Sequence, residues 1–253
     1  MSRAGSGLLI VNADDFGGNR LATDRILEGF GAGALTSATA MMFMADSRRA
    51  ATLGRDAQIP TGLHLNLTQE YDDPEVPPAV AARQRRVTEF LADPRQRRTR
   101  FSPSMVAVIR DVIGDQLGAF RVCFGAEPTH LDGHNHAHLN PSALLALPRG
   151  MAVRPAYRDP DRRGLRRVVL SLRDRALAAR HPGPDHFYAL TAIHPELGGH
   201  GWEPAVARAR TARVEIMVHP DRDRSYAILT SDAWGAVLRG LPLGTYADLA
   251  ARR

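Results

Sequence analysis

Two carboxylates stand side by side at Asp14 and Asp15, directly after the apolar run Leu8-Leu9-Ile10-Val11 and before Phe16-Gly17-Gly18. Adjacent acids at the exit of a buried strand repel each other and lose hydration, so a fold that keeps them supplies a cation or a proton. A bound metal with a neighbouring base is the chemistry this suggests; capping of the next helix is the plainer alternative. A second clue is Thr61-Gly62-Leu63-His64-Leu65-Asn66-Leu67. The period of two in an extended strand puts Gly62, His64 and Asn66 on one side and three leucines on the other, so His64 is expected to point inward, where it needs a hydrogen-bond partner or a metal.

The third clue is Thr129 to His138, in which His130, Asp132, His134, His136 and His138 all occupy even positions. On a strand they share one face, and so many imidazoles together are hard to satisfy by packing alone. A cation site accounts for them, with imidazole and carboxylate suiting Zn, Fe, Mn, Co or Ni and a nitrogen-poorer site suiting Mg. The fourth is Val214 to Asp221, a strand whose His219 is followed by the strand-stopping Pro220. His219 is therefore expected at the same rim as Asp15, His64 and His134, placed to give a proton or hold a substrate oxygen. Arg154, ending a short strand from Met151, is expected to reach inward and pair with Asp14.

Positioning such residues takes strands that end together. Short apolar runs alternate with helical patterns, which indicates an α/β chain with a mainly parallel sheet. Strands are expected at Leu8 to Asn12, Thr36 to Met42, Thr61 to Leu67, Pro128 to Asp132, Met151 to Arg154, Phe187 to Ile193 and Val214 to His219. Helices are expected at Arg20 to Gly31, Asp46 to Leu53, Ser104 to Phe120, Pro141 to Leu147, Leu165 to Ala179, Glu203 to Thr211 and Asp232 to Leu238, with Ser104 as an N-cap. Seven strands suggest a closed or nearly closed barrel forming one domain over residues 1–253. Two segments break the rhythm, Thr68 to Arg100 and Pro155 to Pro184, and read as loop-rich excursions over the face where strands end, where barrels of this kind hold their sites.

Composition narrows the field. All 33 basic residues are arginine, so a Walker-type phosphate lysine and a lysine Schiff base are excluded. The clusters Arg83 to Arg86, Arg95 to Arg100 and Arg162 to Arg167 lack interleaved aromatics and read as solvated surface, so no nucleic-acid partner is expected. The single cysteine, Cys123, permits no internal disulfide. No secretory signal and no span of eighteen apolar residues is visible, so no membrane association and a cytoplasmic location are expected. Apolar surface around the helices would suit a homodimer.

Together, Val11-Asn12-Ala13-Asp14-Asp15-Phe16-Gly17, Gly33 to Thr39, Gly62 to Thr68, Pro128 to His138 and Glu215 to Pro220 resemble the YdjC-like carbohydrate deacetylases, which include chitooligosaccharide deacetylase. The resemblance runs from residue 8 to about residue 140 and resumes at Val214. It implies a TIM-barrel-like fold and one divalent metal, Mg or Zn first and Co, Ni or Mn otherwise, held by Asp15, His64 and His134. It makes Asp14 the general base. His134 is chosen because it follows Asp132-Gly133; His136 and His138 are the alternatives. Asn66, Asp132, His136, His138 and Arg154 then bind substrate or support the site.

The activity implied is hydrolysis of an N-acetylated sugar by metal-activated water, with Asp14 taking a proton and His219 protonating the departing amine. The alternatives are another metallohydrolase, acting on a sugar phosphate or another amide or ester, and a basic non-catalytic binding module.

Overall fold

The computed structural model describes residues 7–155 and 175–251. Its first strand, β1, spans Leu8–Phe16 and is buried along its whole length. Such a run, apolar on both faces, belongs at the centre of a parallel sheet covered on each side. Around it the sheet runs β4 (Leu131–Gly133), β3 (Thr61–Leu65), β2 (Ser37–Ala40), β1, β6 (Arg213–Val218), β5 (His186–Ala189), with every pairing parallel. Among the described residues the result is an open half-barrel of six strands, not the closed or nearly closed seven-stranded barrel expected.

The missing strand is Met151 to Arg154, which pairs with β4 only through a single bridge between Val153 and Leu131. Pro148 and Pro155 bracket it, and Pro155 has no N–H with which to continue a ladder. Even so, Arg154 N–H donates to the Leu131 carbonyl at 3.0 Å, and Val153 N–H donates to the Pro182 carbonyl at 2.8 Å. These bonds fix Arg154 against the sheet. The strand expected over Phe187 to Ile193 stops at Ala189 and turns into a short helix, Leu190–Ile193.

Helices α1 (Arg20–Gly31) and α2 (Ser47–Asp56) pack beside β1 and β2. Within the first excursion lies a helix not expected, α3 (Pro78–Phe90), with Pro78 at its first turn. Its inner face carries buried Gln84 beside Val87, and that polar residue interrupts the apolar stripe. The Gln84 amide donates to the carbonyls of Asn66 and Gln69 at 2.8 and 2.9 Å, tying α3 to the loop after β3. α4 (Pro103–Phe124) buries Ile109, Val112, Ile113, Leu117 and Phe120 at helical spacing and ends at Gly125 in the left-handed conformation. Ser102, not Ser104, precedes its first turn. Another helix not expected, Asp223–Leu229, follows the loop after β6. From the helix expected over Leu165 to Ala179, residues 165–174 lie outside the described residues, as do Arg162 to Arg167.

Leu9, Val11 and Ala13 join the main core with the helices. On the other face of β1, Leu8 and Ile10 join Ala152, Tyr246 and Leu249 in a small second cluster. The final segment is stitched to β1 there: Leu9 N–H donates to the Pro242 carbonyl at 2.8 Å and Gly244 N–H to the Leu9 carbonyl at 3.0 Å. Among the described residues no helix is long and apolar enough to cross a membrane.

Candidate active site at the strand ends

In a regular strand Asp14 and Asp15 would face opposite sides of the sheet. The β1–β2 register shifts between Ala13 and Phe16, and Asp15 takes a left-handed conformation with φ of 68°. This irregularity turns both carboxylates into the half-barrel. His64, at the end of β3, pairs in register with Asp132 of β4, and His134 follows immediately after β4. The strand expected over Pro128 to Asp132 is observed as Leu131–Gly133, so only Asp132 of the even-numbered residues lies on it. Extended structure stops at Gly133, and His134–Leu139 forms a 3-10 turn in which Asn135 and His136 have φ of 56° and 54°. The even-numbered histidines are therefore dispersed instead of sharing a face.

His134 Nδ1 lies 3.0 Å from Asp15 Oδ1, and His64 Nε2 lies 3.2 Å from the same oxygen. His219 Nε2 is 3.8 Å from Asp15 Oδ2. Asp15, His64 and His134 offer one ligand atom each, all within 4.8 Å of one another, and form a group able to hold a metal ion. Two features fit a cation. His64 gives its Nδ1–H to Asp132 Oδ1 at 2.7 Å, which turns Nε2 toward Asp15, and that buried nitrogen makes no hydrogen bond. A carboxylate behind a histidine whose far nitrogen is free is the arrangement that orients metal-ligating imidazoles.

Asp14 lies next to this group in a different grip. Arg154 Nη1 and Nη2 meet its two oxygens at 2.7 and 2.6 Å, and Asn12 donates to Oδ1 at 3.0 Å. Burial opposes its charge, but the guanidinium and nearby His64 hold the carboxyl well below the usual range. Asp15 is likewise held low against burial, by the hydrogen bond from His134 and by the His64 ring beside it. Burial would lower the His64 pKa, yet Asp132, Asp14 and Asp15 hold it well above the ordinary value. At His219 burial wins over Asp14 and Asp15 and keeps the imidazole below the ordinary value.

Other expected residues take supporting places. Asn66 anchors the loop after β3: its Oδ1 accepts from Gln69 N–H at 2.9 Å, and its backbone N–H donates to Gln116 at 2.8 Å. His138 lies behind the site, its Nε2–H donating to the Arg154 carbonyl at 3.1 Å. His136 lines the cavity, edge-on to Phe187 with ring centroids 5.8 Å apart, but is outside the metal-capable group. Burial and Arg154 press its pKa down to about 3.

Sequence reasoning missed four parts of the site. The Thr39 hydroxyl lies 3.0 Å from Asp132 Oδ2 and 3.3 Å from His64 Nδ1, a hub that its place on the inner face of β2 could have suggested. Asn12 shares the Asp14 face of β1 by the same alternation. Glu215 was seen only as part of a strand. The arginines Arg95, Arg97 and Arg98, read as surface, join Arg222 in walling the cavity of about 610 Å³ that opens over Asp14 and Asp15. Their loop is pinned by Asn140, whose amide donates to the Arg97 and Arg100 carbonyls at 2.7 and 2.8 Å.

These features define an α/β half-barrel with a metal-capable Asp-His-His centre at the carboxyl ends of its strands. The chain belongs to the YdjC-like protein family, whose model matches residues 8–239. Among its relatives, a human carbohydrate deacetylase is 30% identical over 247 residues, covering 84% of this chain and 74% of the relative. A chitooligosaccharide deacetylase of Klebsiella pneumoniae strain 342 is 28% identical over 264 residues, covering 96% of this chain and 99% of the relative. In fold the chain is similar to a proposed cellobiose-phosphate cleavage protein of Enterococcus faecalis V583, with a TM-score of 0.70 at 20% identity, covering 97% and 99% of the two chains.

Proposed function

We propose that this protein is a metal-dependent hydrolase that removes the N-acetyl group from an acetylated sugar or oligosaccharide. The observation that carries the reading is the juxtaposition of the Asp15-His64-His134 group with an Arg154-gripped Asp14 on the floor of one cavity. The deacetylase relatives supply the reaction class, because fold alone does not choose among hydrolases.

An amide resists hydrolysis because its nitrogen donates into the carbonyl and water is a poor nucleophile at neutral pH. A divalent cation held by Asp15, His64 and His134 would acidify water and draw charge from the acyl oxygen. Asp14 stays ionised and fixed in pose, so it accepts the proton that water loses as the oxygen adds to the acyl carbon. His219, across the site near Asp15, passes a proton to the sugar nitrogen as the carbon–nitrogen bond breaks, yielding acetate and the free amine. The arginines of the wall are donors for sugar hydroxyls. Mg and Zn are the first metals to test, then Co, Ni and Mn.

The test is acetate release from diacetylchitobiose and other N-acetylated sugars by metal-stripped protein, with and without each metal. Release that returns with metal and is absent in Asp14→Asn supports the reading. Metal binding without acetate release, accompanied by phosphate release from sugar phosphates, would assign a different metallohydrolase, and failure to bind metal would overturn the centre itself.

A further inference from the structure

We propose that Glu215 and Tyr246 are positioning residues for Asp14, acting through Arg154, and that the segment around Tyr246 belongs to the active centre. The inference rests on the reading of Asp14 as the base of a deacetylase. It begins with the hydrogen bonds of Arg154, a side chain without measurable exposure. A guanidinium has five N–H groups in one plane. Nη1 faces Asp14 Oδ2 at 2.7 Å and Asp132 Oδ2 at 2.7 Å. Nη2 faces Asp14 Oδ1 at 2.6 Å and Glu215 Oε1 at 2.7 Å, and Nε donates to that same Glu215 oxygen at 2.8 Å. Three carboxylates thus surround one cation.

Of these three, only Glu215 holds the Nε edge, and that edge fixes how the plane is turned about its long axis. Without it the two Nη atoms could follow Asp14 to a new pose instead of imposing one. Glu215 must itself be fixed, and its second oxygen accepts from the Tyr246 hydroxyl. Tyr246 is 3% exposed and stacks on the His130 ring, with centroids 3.5 Å apart and planes 3° from parallel. His130 in turn lies so close over Gly62 that a Cβ there would collide with its ring. The segment bearing Tyr246 is held to β1 by the two backbone bonds at Leu9. An ordered path therefore runs from the β1-bound final segment through Tyr246, Glu215 and Arg154 to Asp14. Tyr246 lies beyond residues 8–239, where the family model matches.

The plainer role for Tyr246 is a buried tyrosine that satisfies its hydroxyl and contributes stability alone. A double-mutant cycle separates the two. Tyr246→Phe should lower kcat roughly tenfold, the lower end of what outer-shell partners are worth, while KM and metal stoichiometry hold. In a Glu215→Leu background the same change should have no further effect on kcat, because its route to Asp14 is already cut. A lower thermal midpoint with unchanged kcat, or losses that multiply in the double variant, would overturn the proposal. The Arg154 Nε–H resonance in NMR provides a second readout that needs no substrate. It should shift and exchange faster with solvent in Tyr246→Phe, and an unchanged resonance would overturn the proposal even if Glu215→Leu fails to fold. Wild-type protein inactive on every N-acetylated sugar would instead count against the deacetylase reading, and the resonance would still decide the positioning claim.

Discussion

His64 and His134 differ from His130 and His138 in one respect that decides their chemistry: whether a carboxylate meets the ring. His64 has Asp132 on one nitrogen and Asp15 facing the other, and His134 is hydrogen-bonded to Asp15. His130 and His138 come from the same stretch of chain, yet His130 stacks on Tyr246 and touches Thr129, while His138 bonds to a backbone carbonyl. Burial drives both well below the ordinary histidine pKa, so they are neutral spacers beneath the site. Whether an imidazole is placed to act as a ligand or only fills space follows from its neighbours, not its place in a motif.

The sharpest way to break the contrast is Asp15→Asn, which removes the one carboxylate that His64 and His134 share. It should abolish metal binding and acetate release together, read by metal analysis of the purified variant alongside turnover. Asp14→Asn should separate the two, with turnover falling roughly a hundredfold to ten-thousandfold while metal content is retained. Asp132→Asn weakens only the support behind His64, so metal affinity measured by calorimetry should drop by about ten- to a hundredfold.

The neutral histidines predict a pH effect on stability. With folded pKa values below the ordinary 6.5, His130 and His138 refuse protons that the unfolded chain accepts. Stability therefore falls as the pH drops below about 6.5, by up to about 1.4 kcal/mol per pH unit for each. Glu215, pushed up to about 6 by burial, opposes this between its ordinary 4.5 and 6, where the folded state holds the extra proton. The window from 6.5 to 6 is thus the cleanest. Urea unfolding across it should show a shallower slope in His130→Phe, which keeps the stack on Tyr246 while His136 and His138 still refuse protons; an unchanged slope would mean that His130 is not one of the neutral groups. The smallest effect is expected at the rim, where Arg222→Ala should raise KM a few-fold without moving kcat, as a binding contact made equally in ground and transition states does.

Much of the scaffold was legible. β1, β3 and β6 and helices such as Arg20–Gly31 and Asp232–Leu238 follow directly from apolar runs, alternation and 3.6-residue spacing. α3 was hidden because Gln84 sits where an apolar residue would mark the inner face, and that glutamine satisfies loop carbonyls brought to it from β3. The Met151 to Arg154 strand was misjudged because so short a segment, cut off by Pro155, makes one bridge to β4 and sends the Val153 N–H to the Pro182 carbonyl instead of building a ladder.

By itself the sequence determined which chemical groups are present and roughly where each strand delivers them: two acids at the end of β1, one histidine on β3, several after β4 and one after β6. Only the tertiary structure decided which of them meet. The turn at Asp15 puts neighbouring carboxylates on one side, and the break after Gly133 sends His134 to Asp15 and His138 to the rear. The fold also brings Arg154, Glu215 and Tyr246 together across separations of 61 and 31 residues. Local pattern reports periodicity along one strand, whereas a buried ion network is set by distances between strands, and one left-handed residue or one carboxylate from a distant segment is enough to change its members.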